Sequence, residues 1–422
     1  MPKKWFRLDT AALIFPAIAR RNWSNAFRFS ATLSEPVDRE ILEQALGDLK
    51  KRFPSFFVRL GQGLFWYYLE ESSEPVRVQA DYAYPLTFMS RSELSRNCLR
   101  VLVYRNRIAV EFFHSLTDGH GGSVFLATLV ARYLELRYGI SVPPGGPVRD
   151  LGEPVPAAET EDSFLKYAAE SAASENAPKA YRLHGSKEPD GFRHLTTGTV
   201  DTGALLDAAH RYGVSVTAFL AAVMAESVIA IQSAERPQKR QKPVRITVPV
   251  DLRKLFPSST LRNFALVLNI GVDPRFGSYS LEELCRVIWH TLQAEATPQN
   301  MAGMIAANVE PQKITLLRLV PVILKNPVMD MVYLRRGEGG GCLNVSNLGP
   351  FPLPEAMVPY VTRAEFIIGP QRSYPHNCSV LSYGGKTYIN MIRSIREAEL
   401  ERLFFSRLVD LGIAVDIETN RR

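Results

Sequence analysis

Cysteine is scarce in this 422-residue chain: Cys98, Cys285, Cys342 and Cys378 lie far apart, with no Cys-x-x-Cys pair. Neither a zinc ribbon nor a disulfide framework is expected, and the chain reads as a reduced, cytoplasmic protein with no bound metal. Unbroken apolar runs of membrane-spanning length are also missing. The two longest candidates, Val214 to Ile231 and Ile314 to Val332, contain or adjoin Ser215, Thr217, Glu226, Lys313, Arg318, Lys325 and Asp330. Both are expected as core helices, with no transmembrane segment. Near the N-terminus, Asp9 precedes the apolar run Ala11 to Ala19 and Pro16 breaks it, so no secretory signal is expected. Nothing repeats at solenoid spacing. Strong charge of one sign is absent too, since 50 Lys and Arg against 43 Asp and Glu leave +7. That excess suits anionic small molecules or acidic surfaces and is no nucleic-acid signature. What is present is a 46% hydrophobic composition, enough for a large core, and a length that suggests two domains.

Apolar periodicity gives the organisation. Ala26 to Leu33 reads as a strand, and Val37, Ile41, Leu42, Ala45, Leu46 and Leu49 recur at helical spacing between Pro36 and Phe53. Phe56 to Leu60 and Leu64 to Leu69 flank Gly61 and Gly63, expected to supply the positive backbone angles of a tight hairpin. Arg100 to Tyr104 and Ile108 to His114 form a second hairpin, followed by a helix over Ser123 to Arg137. Residues 139 to 162 then mix Pro143, Pro144, Pro147, Pro154 and Pro156 with glycines and acids, the pattern of an extended connector. Beyond it, helices are expected at Gly203 to Tyr212, Val216 to Ile231 and Glu397 to Leu411. Strands are expected at Thr196 to Val200, Arg245 to Val250, Leu266 to Val272, Cys342 to Ser346, Arg363 to Ile368, Cys378 to Ser382 and Thr387 to Ile392. The expected division is an N-terminal lobe over 1–140, a crossover over 141–180 and a C-terminal lobe over 181–422. Each lobe is an α/β unit with a mixed sheet and packed helices.

The segment from Glu111 to Gly122, Glu-Phe-Phe-His-Ser-Leu-Thr-Asp-Gly-His-Gly-Gly, joins a strand end to a helix start through a polar, glycine-rich turn. Alternation puts His114 on the face of Ile108, Val110 and Phe112, where partial burial keeps an imidazole neutral and able to take a proton from an attacking hydroxyl or amine. Asp118, four residues on, can orient the histidine, pair with a distant cation, or cap the following helix. Gly119, Gly121 and Gly122 allow a sharp turn and close backbone approach. The bland alternatives are a core histidine bonded to a backbone carbonyl, a simple helix cap, and, for Arg253, a surface cation. His120 reads as a neighbour of the site, and His376 with Cys378 as structural residues.

These residues resemble the His-x-x-x-Asp-Gly acyltransferases, which include chloramphenicol acetyltransferase, peptide condensation domains and alcohol acetyltransferase-like proteins. Three further stretches are similar to landmarks of that superfamily: Asp48 to Pro54; Pro249 to Arg253 with Arg262-Asn263-Phe264; and Asn344 to Gly349. Phe113 stands where several condensation enzymes carry a second histidine, which fits the plainer alcohol acyltransferase pattern. The resemblance implies two chloramphenicol acetyltransferase-like lobes forming a pseudo-dimer with a channel between them. It implies His114 as general base, with Asp118, Gly119 and Arg253 structural at the site and Asp118 paired to Arg253. Phe113, Asn263, Ser346 and Asn347 become substrate-channel candidates, Ser346 and Asn347 also as oxyanion donors. The implied reaction moves an acyl group from acyl-CoA, a co-substrate and not a resident cofactor, or from an acyl carrier protein, to a small alcohol. Amide formation on an amine, or a non-catalytic carrier-docking role, are the alternatives.

Two other stretches have plainer readings. The basic run Arg236 to Pro243 is expected as a solvated loop, with contact to CoA phosphates or a carrier protein as the other possibility. Arg335 to Gly341 lacks the Lys-Ser or Lys-Thr of a phosphate-binding loop and reads as a turn.

Overall fold

The computed structural model describes residues 4–19, 23, 25–82, 84–168, 178–189, 191–314, 319–333, 339–371 and 374–420. The first part of the chain supplies β1 (Trp5–Arg7), β2 (Ala26–Leu33), the hairpin β3 (Val58–Gln62) and β4 (Tyr67–Glu71), β5 (Val78–Ala80), and the hairpin β6 (Leu99–Tyr104) and β7 (Arg107–Phe113). The second part supplies β8 (His194–Asp201), β9 (Val244–Asp251), β10 (Ala265–Val272), β11 (Leu343–Pro350), β12 (Val361–Ile368), β13 (His376–Tyr383), β14 (Lys386–Arg393) and β15 (Val415–Thr419). These strands form a five-stranded sheet in the order β12-β2-β7-β6-β5, a seven-stranded sheet β10-β9-β11-β13-β14-β8-β15, and a small sheet β1-β4-β3.

Local chemistry sets the helices that matter for the site. Arg39–Leu49 starts where Asp38 accepts from the backbone N–H groups of Glu40 and Ile41, and it buries Leu42, Ala45, Leu46 and Leu49 on one stripe. Gly119–Tyr138 starts at Asp118 and stops at Gly139, whose φ of 65° only glycine adopts without strain. Val216–Glu235 is largely apolar and packs against the helices Leu281–Glu295 and Glu399–Asp410, with Glu226 accepting from Arg407 at its outer side.

Four expectations need correction. Gly61 and Gly63 do not have positive φ: Gly61 lies within β3 with the Tyr68 ring directly over it, and Gly63 closes the turn by donating to the Trp66 carbonyl (2.8 Å). The connector is not loosely extended throughout. Glu159 is buried and accepts two hydrogen bonds from Arg52 (2.6 and 2.9 Å), fastening the connector to the first helix's end. The lobe boundaries 1–140 and 181–422 do not separate the sheets, because β12 pairs antiparallel with β2 from Val361–Leu33 to Ile368–Phe27. Finally, Ile314 to Val332 is not a core helix. Residues 315–318 lie outside the described residues, the helix there runs Val322–Val332, and much of its apolar surface is exposed. Of the Arg335 to Gly341 stretch, 335–338 are likewise outside the described residues, whereas part of the basic run forms an exposed single turn, Gln238–Arg240.

Candidate functional site between the two sheets

His114 is the first residue beyond β7, and its backbone N–H donates to the Asn25 carbonyl (2.8 Å), which extends the β2–β7 pairing by one step. Its ring is half-buried, stacked on Phe15 (centroids 4.6 Å apart, planes at 23°) and met edge-on by Phe27 at 5.0 Å. Nδ1 lies 3.0 Å from Oδ1 of Asn263, on the loop between β9 and β10 of the other sheet. The Asn263 amide has one orientation that satisfies its neighbours. Its Nδ2 donates to Asp9 Oδ2 (3.1 Å) and to the His114 carbonyl (3.0 Å), which leaves Oδ1 as the acceptor. The network therefore assigns the proton to Nδ1 of His114 and a lone pair to Nε2. Burial lowers the imidazole's pKa from its usual 6.5, outweighing the opposite pull of its own carbonyl, Asp118, Asn263 and the Thr117 carbonyl.

Asp118 is buried and saturated with hydrogen bonds. Oδ1 accepts from the backbone of His120 (3.1 Å) and Gly121 (3.3 Å), capping the helix, and Oδ2 accepts from Arg253 Nη1 (2.9 Å) and the Phe264 backbone N–H (2.7 Å). Burial pushes its pKa up, but Arg253, His120 and the Phe264 N–H together hold it below the usual carboxylate range. Capping and pairing, alternatives on sequence, coexist: Oδ1 caps the helix and also accepts from Arg253 Nη2 (3.3 Å), so the guanidinium spans both carboxylate oxygens. Arg253 is equally committed: Nε donates to the Thr260 carbonyl (2.9 Å), Nη2 to the Arg262 carbonyl (2.6 Å) and Nη1 to Asp251 (3.0 Å). Arg253 is thus no surface cation. It folds residues 260–264 into the loop that presents Asn263.

The glycines serve close approach, since none of Gly119, Gly121 and Gly122 has a positive φ. A Cβ on Gly121 would lie 2.2 Å from the Leu261 carbonyl oxygen and 2.1 Å from Thr117 Oγ1. At Gly119 it would meet Leu348 of β11 at 3.0 Å, and at Gly122 the rings of Phe27 and Phe29. The motif turn is wedged between the sheets, and only hydrogen fits there.

The channel candidates separate. Asn263 is buried and bonded to the histidine, so it orients the ring and lines no open path. Phe113 is fully buried in the hydrophobic core of the first lobe, on the opposite side of β7 from His114, as alternation requires. Asn347 donates to Thr217 Oγ1 (3.1 Å) and accepts from the Gly349 N–H (2.9 Å); among the described residues neither it nor the buried Ser346 is hydrogen-bonded to His114. Asp9 was not singled out on sequence, although a lone carboxylate in the apolar stretch Leu8 to Phe15 is the signal that exposes it. It is fully buried, and burial raises its pKa to about 6 despite Arg262, whose Nε is 3.6 Å away.

Two cavities, of about 650 and 400 Å³, lie elsewhere: one among Asp48, Arg132 and Arg149, the other among Ala17, Ile323 and Asp330. His114 lines neither, so neither is the expected channel. Among the described residues no group of three or more His, Cys, Asp or Glu is placed to hold a metal.

No protein-family model and no curated protein sequence matches the chain. Solved structures do. TRI101 of Fusarium graminearum, in complex with coenzyme A and T-2 mycotoxin, aligns over 98% of this chain and 100% of its own at a TM-score of 0.64 and 12% identity. Polyketide synthase associated protein 5 from Mycobacterium tuberculosis aligns over 96% of both chains at 0.58 and 16% identity. The wax ester synthase/diacylglycerol acyltransferase of Marinobacter aquaeolei VT8 covers 96% of this chain and 99% of its own at 0.55 and 14% identity. The chain therefore shares the two-lobed α/β fold of these structures.

Proposed function

We propose that this protein is an O-acyltransferase, moving an acyl group from acyl-CoA or an acyl carrier protein to an alcohol, with His114 as general base. The observation that carries the reading is the chain Asp9–Asn263–His114, which fixes the proton of a neutral imidazole on Nδ1 and so assigns the lone pair to Nε2. In the proposed step the acceptor hydroxyl gives its proton to Nε2 while its oxygen bonds to the thioester carbonyl carbon. The tetrahedral intermediate expels the thiolate, which takes the proton back from Nε2. Asp118 and Arg253 act through the loop that holds Asn263, as positioning residues. The lowered pKa supports a base already neutral at cytoplasmic pH.

The packing of Phe15 on the imidazole favours one rival, a non-catalytic carrier-docking protein of the same fold. Release of free thiol from acyl-CoAs of graded length, with alcohols and amines as acceptors, separates these readings and the amide-forming alternative. His114→Ala should lower turnover by at least about 10²-fold with the melting temperature retained. Undiminished release would remove the catalytic assignment.

A further inference from the structure

The helix Val322–Val332 is inside out for a protein in water. Its polar side chains point inward: Lys325 Nζ donates to the Phe65 carbonyl (2.8 Å), Asn326 Nδ2 to the Tyr67 hydroxyl (2.9 Å), and Asp330 is buried. Its outward face is Ile323, Leu324, Pro327, Val328 and Met331, at helical spacing, with Ile323 74% and Leu324 62% exposed. A helix folded for water alone places the two sets the other way round. The β3–β4 turn continues the surface: Val322 N–H donates to the Leu64 carbonyl (2.8 Å), and the side chains of Leu64 and Trp66 are exposed beside the helix.

We propose that this face seats on the anionic surface of a lipid bilayer. It offers no side-chain hydrogen-bonding group, which suits a fluid apolar layer, and Trp66 beside it has the amphipathic ring that settles at headgroup depth. The charge around it is complementary to anionic lipid. On the adjoining small sheet Lys4 and Arg7 are exposed, with no carboxylate partner among the described residues, whereas Glu70 is neutralised by Arg59 and Glu71 by Lys50. Eleven residues span roughly 16 Å of helix against a hydrocarbon thickness of about 30 Å, so this element lies on the membrane and does not cross it. Val216–Glu235, the described helix with the length and apolarity to cross, is interior to the second lobe.

The face is joined to the candidate site. The helix packs on Phe15–Ile18, the short helix whose Phe15 stacks on His114. A bilayer-dissolved acyl chain or alcohol would thus meet the protein beside its imidazole. That consequence for the substrate rests on the proposed acyl transfer; membrane seating itself does not.

Co-sedimentation with vesicles of phosphatidylcholine, and of an equimolar mixture with phosphatidylglycerol, tests the proposal on the full chain. The protein should pellet with the mixed vesicles, less with neutral ones and less at high salt. Ile323→Ser with Leu324→Ser should weaken partitioning roughly tenfold, and Trp66→Ser should weaken it independently. Short-chain thiol release by the helix variant should stay unchanged, and His114→Ala should bind vesicles like the parent, so failure of binding and failure of catalysis are told apart. Protein that stays in the supernatant, or binding indifferent to both sets of substitutions, overturns the proposal. So does a dimer in size-exclusion chromatography that the helix substitutions dissociate without any vesicle binding, since the face would then be a self-contact.

Discussion

Replacing Asp118 by Ala removes the acceptor for four partners at once. Two are the backbone N–H groups of His120 and Gly121, and losing a cap of this kind costs about 1 kcal/mol. The larger loss is Arg253, whose side chain is 7% exposed and which would stay charged inside the protein with Asp251 as its remaining carboxylate. Breaking a buried pair costs about 3–5 kcal/mol, and the surviving Asp251 contact favours the lower end, so the sum is about 4 kcal/mol. Unfolding entropy of about 2.1 cal/mol/K per residue gives roughly 0.9 kcal/mol/K for this chain, hence a fall in melting temperature of about 4–5 °C. Differential scanning calorimetry reads this directly. Adding Arg253→Met to Asp118→Ala should regain nothing, because Arg253 still donates to Asp251 and to the Thr260 and Arg262 carbonyls, and methionine leaves those acceptors unpaired. A single variant melting within about 1 °C of the parent, or a double variant more stable than the single one, would refute the reasoning.

Three further outcomes follow from the same geometry. Since burial lowers the His114 pKa, turnover per KM should fall only as pH drops below about 6.5 and stay level above it; a limb centred above pH 7 would assign the base elsewhere. The same shift acts on stability in that direction: a depressed imidazole pKa favours the fold above the unfolded value of about 6.5, and that contribution is lost on acidification. Gly121→Ala should destabilise the protein by at least about 2 kcal/mol in urea titration, since the new methyl meets the Leu261 carbonyl and Thr117 within 2.2 Å.

Strands were legible as short apolar runs bounded by turn residues; Ala26–Leu33 has the expected bounds and is buried along nearly its whole length. The helix after the motif began four residues earlier than periodicity indicated, at Gly119, because Asp118 and the close packing of glycines overrode their poor helix propensity. The Asp118–Arg253 contact was approached through resemblance, since 135 residues separate its partners and no local pattern links them. Asn263 was named from the same resemblance as a channel residue, but its bond to His114 spans 149 positions and no local pattern announces it; Asp9 offered only a lone carboxylate in an apolar stretch. Hydropathy misread Ile314 to Val332 because an apolar count records how greasy a segment is, without saying which side meets the solvent. The exchange of β12 was equally invisible, as its residues make an ordinary strand whichever sheet receives it.

That exchanged strand ties the two lobes into one object. β12 runs in the β2 ladder, yet its Phe366 carbonyl accepts from Ser379 (2.8 Å) and Asn390 (3.2 Å) of the neighbouring sheet, and Tyr383 reaches back to the Val361 carbonyl (3.1 Å). Cutting the chain within the connector would therefore leave a first half missing an edge and a second half with a strand it cannot accommodate. The first sheet is incomplete without a strand from the far end of the chain, so the two lobes fold as one unit.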